Sequence, residues 1–367
     1  MKKVPLYCLA LIIVLCISVS IRAIQVYVET LSGAIIPVQA EDTVVYTPNG
    51  SSVPAMILSE GMTTTRMVED LNAINAQYYG VQFVGDATTT YNCHSYAWNM
   101  TEEDGFTCWI NDPSYYWQDY SYVETTSAFA EKIVYGTGAN HSAVISTGGK
   151  YISKWGPSFL IKHNPTQTPY GSDLRYYAEP PEISGHPIVS NSVSSTFSLA
   201  FAPQNLSIKW VFNTNLFTAI GSTTGSSVTL KAKSTSAVGT GTLTAQFKKN
   251  GIVVATSTYT IYANRLPSFG NLSLRVVRSS DGVEVYPAYV GLCPNTYYYA
   301  YLTGTYNNYN YTWDMNHATV YSSSYNQAYF KTDSEGWTFL DIYATDSTSG
   351  VTQNIYGVTL YGGNSCN

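Results

Sequence analysis

The chain is poor in charged residues. Asp, Glu, Lys and Arg make up 11% of its 367 residues, and Lys and Arg together number only 18. These cations form no basic run, so we expect no nucleic-acid partner. No His/Cys cluster has the spacing of metal ligands, and we therefore expect no metal and no cofactor.

Long hydrophobic runs are also scarce, and the clearest one lies at the start of the chain. Lys2 and Lys3 precede an apolar run from Val4 to about Val19, and Ala23 offers a cleavage site. This pattern predicts a secretory signal peptide over residues 1–23 rather than a membrane span, because no second apolar stretch follows. Cleavage would leave 15 Lys and Arg against 24 Asp and Glu, a net charge of −9. We expect a secreted, cell-surface or periplasmic protein with no membrane span after signal removal.

Cysteines are few, and four of the six would remain after signal removal: Cys93, Cys108, Cys293 and Cys366. Secretion permits disulfides. Cys293 and Cys366 fall in the same C-terminal region and could pair. A bridge between Cys93 and Cys108 is the alternative to a reactive thiol at Cys93, and the sequence leaves both open.

Tyrosine, by contrast, is abundant, with 33 residues, and together with many Ser, Thr and Asn it favours extracellular β-structure. Beyond Pro180-Pro181 the chain shows short alternating strands at the spacing of immunoglobulin-like sandwiches. One larger β-domain is the competing interpretation. We predict a β segment, an α+β domain and two all-β immunoglobulin-like sandwiches, over residues 24–60, 61–180, 181–265 and 266–367.

Cys93 follows a polar, turn-like stretch and opens a short predicted helix. A helix N-terminus favours the thiolate, which is the nucleophilic form of cysteine. His141, 48 positions later, begins the apolar strand that runs to Ser146. A cysteine on a helix followed by a histidine on a strand predicts nucleophilic catalysis, with Cys93 as nucleophile and His141 as base. The alternatives are a buried or bridged cysteine and a histidine at a strand end, with His163 as the runner-up base.

Ser153 is the candidate for the third catalytic residue. The Gly148-Gly149 turn places its strand beside the strand of His141, and its hydroxyl could accept a hydrogen bond from the imidazole. A backbone carbonyl or Asn164 are alternatives in this role.

Four further residues are predicted to line the site. The side chains of Tyr91 and Asn92 join the Cys93 backbone N–H as candidate oxyanion donors. Lys154 and Trp155 follow Ser153 directly and are placed with them. A structural strand end is the alternative for the Ser-Lys-Trp-Gly run.

The segments Asn92–Trp98, His141–Val144 and Ser153–Gly156 together resemble the papain-like cysteine peptidases of bacterial cell-wall metabolism, which include NlpC-type endopeptidases and CHAP amidases. The resemblance covers residues 60–178. It implies a papain-like α+β domain, although Ser153 stands where NlpC-type enzymes often have His, and Asn92 stands where they usually have Asp. The trailing domains look like bacterial immunoglobulin-like modules, which serve as spacers or as carbohydrate- and protein-binding units.

These features lead us to expect a secreted cysteine-dependent amide hydrolase, a peptidase or amidase. Its substrate would be a peptide in peptidoglycan or an extracellular protein. A transglutaminase-like acyl transferase is one alternative, but it would want an Asp about fifteen residues after the histidine, and none occurs between His141 and Asp173. The other alternative is a non-enzymatic surface binding or adhesion protein with a degenerate papain-like domain. In that case the β-domains would bind a carbohydrate or another cell-surface ligand.

Overall fold

The computed structural model describes residues 23–288 and 290–362. The predicted signal peptide, except for Ala23, lies outside the described residues. Within them the chain divides into two compact units, which comprise residues 23–122 with 126–177 and residues 123–125 with 178–362. No helix in the described part of the chain has both the length and the apolar character needed to cross a membrane.

The first unit is built mainly from strands. It begins with β1 (Ile24–Glu29), β2 (Ile35–Tyr46), β3 (Ser52–Leu58), β4 (Gln82–Gly85) and β5 (Trp109–Ile110). The short strand β6 (Val123–Thr125) groups with the second unit. The first unit then continues with β7 (Lys132–Tyr135), β8 (His141–Ser146), β9 (Lys150–Lys154), β10 (Leu160–His163) and β11 (Leu174–Ala178). Its helices are α1 (Thr64–Gln77), α2 (Cys93–Ser95), which continues into a π-helical turn (Tyr96–Met100), and α3 (Tyr115–Gln118).

These strands form antiparallel sheets with the order β1-β2-β3-β5 and, for six strands of a larger sheet, β4-β10-β9-β8-β7-β11. Strand β2 shows the period of two that a half-buried strand needs, because Ile36, Val38 and Ala40 are buried and their neighbours are exposed. A 3-10 turn (Thr147–Gly149) joins β8 to β9. Gly148 adopts φ 73° there, a conformation that glycine reaches without steric cost.

The prediction of an α+β papain-like domain over residues 61–180 is wrong. Among the described residues of that range, α1 is the only helix longer than five residues, and the rest is strands and turns. The helix predicted at Cys93 makes one α-helical turn before it widens into the π-helical turn. The first unit is therefore predominantly β, since the local patterns at Cys93 and His141 specify short elements and not a helical layer.

The second unit contains strands throughout its described residues. They are β12 (Ile183–Gly185), β13 (Ile188–Val189), β14 (Ser195–Leu199), β15 (Ser207–Val211), β16 (Phe217–Ile220), β17 (Ser227–Ala232), β18 (Gly239–Lys249), β19 (Ile252–Ala263), β20 (Ser273–Arg278), β21 (Glu284–Tyr286), β22 (Tyr297–Thr303), β23 (Tyr309–Asn316), β24 (Ala318–Ser324), β25 (Gln327–Thr332), β26 (Thr338–Asp346) and β27 (Thr352–Leu360).

These strands build two β-sandwiches. In the first sandwich, the sheets β12-β14-β17-β16 and β13-β19-β18-β15 enclose a core that includes Phe197 and Trp210. In the second sandwich, the sheets β21-β20-β22-β25-β24 and β23-β26-β27 enclose a core that includes Trp313 and Phe330. Ile188 of β13 packs into the second core. The predicted boundary between residues 265 and 266 stays a prediction.

Candidate functional sites

Cys93 opens α2, and Asn92 is the N-cap that holds this helix in place. The Asn92 side-chain oxygen accepts hydrogen bonds from the backbone N–H of Ser95 (3.0 Å) and of Ile110 (3.3 Å), and its amide donates to the Ile110 carbonyl (2.7 Å). Cys93 is 7% exposed. Burial raises the pKa of the Cys93 thiol to about 11, although backbone N–H groups of Ser142 and His94 favour the thiolate. The thiol is therefore protonated at neutral pH.

The described cysteines include both free thiols and a disulfide-bonded residue. Cys93 and Cys108 are both free and buried, so no bridge joins them. Cys108 Sγ lies 3.3 Å from Ser95 Oγ. Cys293 is disulfide-bonded, and its predicted partner Cys366 lies outside the described residues.

His141 begins β8 and is fully buried against Tyr170. The two rings are stacked with their centroids 3.6 Å apart and their planes within 10°. Neither ring nitrogen of His141 has a hydrogen-bond partner among the described residues. Burial lowers the pKa of His141 well below its ordinary value, and His94 and His163 lower it further. The imidazole is therefore neutral, and no described residue forms a hydrogen bond that would fix its tautomer.

Ser153 lies on β9, but it bonds to a different histidine from the one predicted. Its hydroxyl accepts a hydrogen bond from Trp155 Nε1 (2.9 Å) and lies 2.8 Å from His163 Nε2. His163 Nδ1 lies 2.8 Å from the carbonyl of Asn164 and must donate to it, so Nε2 accepts the Ser153 proton. Ser153 therefore anchors His163 and does not orient His141.

The same arrangement recurs in the first unit at a position that the sequence did not reveal. Trp98 Nε1 donates to Ser142 Oγ (2.9 Å), and the Ser142 hydroxyl lies 2.8 Å from His94 Nδ1. Burial lowers the pKa of His94 to about 4, so this imidazole is neutral too. Because side chains alternate along β8, Ser142 and His141 lie on opposite faces of the strand. The tryptophan partner of Ser142 is distant in sequence, since Trp98 lies in the helical segment that follows Cys93. We call these two groups the Trp–Ser–His clusters.

Lys154 and Trp155 are interior side chains. Trp155 is 1% exposed and Lys154 is fully buried. Lys154 Nζ donates to the carbonyls of Thr88 (3.0 Å), Gly156 (2.9 Å) and Ser158, and it lies 4.9 Å from the centre of the half-buried Tyr91 ring. Burial lowers the pKa of Lys154 to about 7. These contacts use all three ammonium donors within the fold.

The prediction of a cysteine peptidase or amidase is contradicted by this arrangement. A catalytic pair needs a base within hydrogen-bond reach of the nucleophile and a third group that orients the base. Cys93 carries a protonated thiol, and His141 is a neutral imidazole whose nitrogens bond to no described residue. The prediction of a hydrolase is therefore wrong. The grouping of Tyr91, Asn92 and the other predicted residues into a ligand-contacting site stays a prediction.

A second candidate site lies on the second sandwich and consists of five clustered tyrosines. Along β22 the side chains of Tyr298 and Ala300 are buried in the core, so the alternate residues project from the opposite face of the sheet. The neighbouring strands β25 and β24 add two more rings to that face. We call this set the tyrosine face: Tyr297, Tyr299, Tyr301, Tyr321 and Tyr329.

Short distances connect the rings of the tyrosine face. The centroid of the Tyr329 ring lies 4.7 Å from that of Tyr299 and 5.5 Å from that of Tyr297, and the Tyr299 and Tyr301 centroids are 6.1 Å apart. The corresponding interplanar angles are 33°, 10° and 28°, so the two rings of each pair are inclined by about 30° or less. The strand register produces this proximity, because β25 pairs Tyr329 directly with Tyr299.

Tyr321 joins the tyrosine face through an irregularity in the sheet. The pairing of β24 with β25 shifts register between Val320 and Ser322, which leaves Tyr321 without a directly paired partner. A bulge of this kind re-aims the side chain of the extra residue. Tyr321 is 57% exposed, and the centroid of its ring lies 5.7 Å from that of Tyr297. A hydrogen bond between the two tyrosine side chains raises the pKa of the Tyr297 hydroxyl.

Two cations border the tyrosine face. Lys331 pairs across the strands with Tyr297, and its Nζ lies 5.2 Å from the centre of that ring. Arg275 pairs with Tyr301, and its Nε donates to Glu284 Oε2 (2.5 Å). The run Tyr297-Tyr298-Tyr299-Ala300-Tyr301 carries the signal that could have identified this face, since residues two apart share one side of a strand.

No protein-family model matches the chain, and no curated protein matches it in sequence. The chain is similar to a solved C-terminal 282-residue fragment of intimin in complex with the intimin-binding domain of the translocated intimin receptor. The identity is 16%, the TM-score is 0.23, and the match covers 51% of this chain but only 65% of that fragment. The adhesin InvE of Yersinia pseudotuberculosis is 15% identical, with 50% of this chain and 63% of that chain covered and a TM-score of 0.17.

A putative membrane anchored protein from Corynebacterium diphtheriae is 9% identical, with 92% of this chain and 95% of that chain covered and a TM-score of 0.25. At these TM-scores the likenesses carry no argument about fold or function. The resemblance to papain-like cysteine peptidases is nevertheless wrong, because residues 60–178 form mainly strands and turns with one long helix, α1, and no papain-like domain.

Proposed function

We propose that this chain is a secreted or cell-surface binding protein without enzymatic activity, and that its β-sandwich unit carries the ligand-binding surface. The tyrosine face is the observation that carries this proposal. Five tyrosines with ring centroids 4.7–6.3 Å from their neighbours, and with Tyr297 and Tyr321 38% and 57% exposed, form an aromatic surface on one side of one sheet.

The physical properties of tyrosine support this use of the surface. A tyrosine side chain provides a large contact area with only two rotatable torsions, so little conformational entropy is lost when a ligand binds. Its ring packs against apolar groups while its hydroxyl donates and accepts hydrogen bonds. Since neighbouring rings of the tyrosine face already contact one another, their orientations are largely fixed before a ligand arrives.

The first unit supports the non-enzymatic part of the proposal. In both Trp–Ser–His clusters the serine hydroxyl links a tryptophan to a histidine inside the fold, and Lys154 donates to three backbone carbonyls. These polar groups stabilise the unit, and none of them is an activated nucleophile. The predicted signal peptide supports placement outside the cell.

Binding of the labelled full chain to intact bacterial cells, purified cell walls and cultured animal cells tests the proposal. We expect saturable binding to at least one of these surfaces. Replacing Tyr299 and Tyr329 together by Ala should weaken it at least about tenfold, because truncating a central aromatic residue costs more than about 1 kcal/mol. Tyr27→Ala, at a tyrosine of the first unit that is 66% exposed, is the matched control and should bind like the wild type. Absence of saturable binding on all three surfaces, or equal binding by the double variant, would contradict the proposal.

A further inference from the structure

We propose that the tyrosine face binds an uncharged polysaccharide chain. This inference rests on the proposed binding function and names the chemical class of its ligand. Charge, ring chemistry and the dimensions of the face all favour this class.

The charges around the tyrosine face favour an uncharged ligand. Arg275 is already paired with Glu284, and Lys331 lies over the Tyr297 ring. A cationic ligand would find no carboxylate among the five tyrosines, and the positive charge of Lys331 at the border would repel it. A polyanion would be repelled at longer range, because residues 266–362 contain three Lys or Arg against seven Asp or Glu. A cationic group buried on this face would thus lose hydration without gaining a counter-ion from the tyrosine set.

The side chains of the face favour a polyhydroxylated ligand. Between residues 297 and 332, the large apolar side chains that are exposed are all tyrosines: Tyr297, Tyr306 and Tyr321. The electron-rich faces of such rings attract the weakly positive C–H bonds on the face of a sugar ring. The tyrosine hydroxyls, with the exposed hydroxyls of Ser322 and Ser324 on β24, can donate to and accept from sugar hydroxyls. An apolar peptide would leave these hydroxyls unpaired.

The dimensions of the face favour a chain over a single sugar. Tyr297 and Tyr301 are separated by four residues of β22, a length of about 14 Å. The three strands β22, β25 and β24 add a width of about 10 Å. A surface of this size accommodates several linked sugar rings, each in contact with a different tyrosine.

Calorimetric titration of the full chain with neutral hexasaccharides tests this inference. The probes are cellohexaose, laminarihexaose, mannohexaose and xylohexaose. We expect binding of at least one of them, a loss of at least tenfold in affinity for Tyr299→Ala and for Tyr329→Ala, and retention of most of the affinity in Tyr299→Phe, which keeps the ring. Tyr27→Ala should leave the affinity unchanged. Raising the ionic strength from about 0.05 to 0.5 M should change the dissociation constant by less than about twofold, because no ion pair forms.

The two proposals fail in different ways. If cell-surface binding is lost in the Tyr299 and Tyr329 double variant while no hexasaccharide binds, the binding function stands and the polysaccharide inference is overturned. Binding of a proline-rich peptide to the face, or of a polyanion with strong salt dependence, would also overturn it. If no cell surface retains the chain and no hexasaccharide binds, both proposals fail.

Discussion

The interior of the first unit around Cys93 and His141 and the tyrosine face of the second unit expose their side chains to opposite degrees. Around Cys93 and His141, side chains with catalytic chemistry are enclosed, and burial keeps the thiol protonated and the imidazole neutral. On the tyrosine face, side chains with no acid or base function at neutral pH meet the solvent in an ordered array. Residue identity alone therefore does not locate a function, because burial decides which groups a ligand can reach.

Among the substitutions that test this difference in burial, Trp98→Ala should have the largest effect on the free energy of unfolding. Trp98 is fully buried, and its ring packs against those of Tyr116 and Tyr122. We expect Trp98→Ala to lower the free energy of unfolding by about 3–5 kcal/mol, through a cavity and a lost hydrogen bond. Urea unfolding measures this. Tyr299→Ala, at the half-exposed tyrosine face, should cost less than about 1 kcal/mol in the same assay, and equal costs would contradict the contrast.

Loss of a serine hydroxyl from either Trp–Ser–His cluster should have the second-largest effect on the free energy of unfolding. Ser142→Ala and Ser153→Ala each leave a buried tryptophan N–H without its acceptor. We expect each to lower the free energy of unfolding by about 1–3 kcal/mol. Ser322→Ala, at an exposed serine of β24, is the matched control and should stay within about 0.5 kcal/mol of the wild type. If the three variants are equally stable, the serine hydrogen bonds of the clusters contribute nothing to the free energy of unfolding.

Lys154 should give a smaller, pH-dependent effect with a defined sign. The pKa of Lys154 is about 7 in the folded chain, below the value of about 10.4 for an unfolded lysine. Between pH 7 and 8.5 the unfolded state therefore binds more protons, so Lys154 makes the free energy of unfolding rise with pH, by up to about 1 kcal/mol per pH unit. Urea unfolding of the wild type and of Lys154→Met across this range measures the difference. A wild-type curve that rises no more steeply than that of the variant would contradict the burial of this ammonium.

Local patterns predicted many of the elements correctly. The apolar run that begins at His141 predicted a strand to Ser146, and β8 spans His141–Ser146. The Gly148-Gly149 turn predicted that the strand of Ser153 lies beside it, and β9 pairs with β8. These elements depend on neighbours in sequence, which a pattern contains.

The candidate sites depend on contacts between distant residues, and the sequence could not supply them. The bond from Ser153 to His163 follows from the antiparallel pairing of β9 with β10, and the burial of Cys93 follows from elements packed around α2. The tyrosine face requires that β22, β25 and β24 be neighbours and that β24 contain a bulge at Tyr321. Periodicity can show that alternate tyrosines of one strand share a face, but not which neighbouring strands complete that face.

The rate of iodoacetamide labelling at Cys93 as a function of pH, in the wild type and in His141→Ala, tests the central contrast most directly. Peptide mapping separates Cys93 from Cys108, the other free thiol. We predict slow labelling below pH 8.5 in both proteins, because the pKa of the buried thiol is about 11 and His141 does not activate it. Fast labelling near neutral pH that is lost in His141→Ala would contradict the account and establish a reactive Cys–His pair.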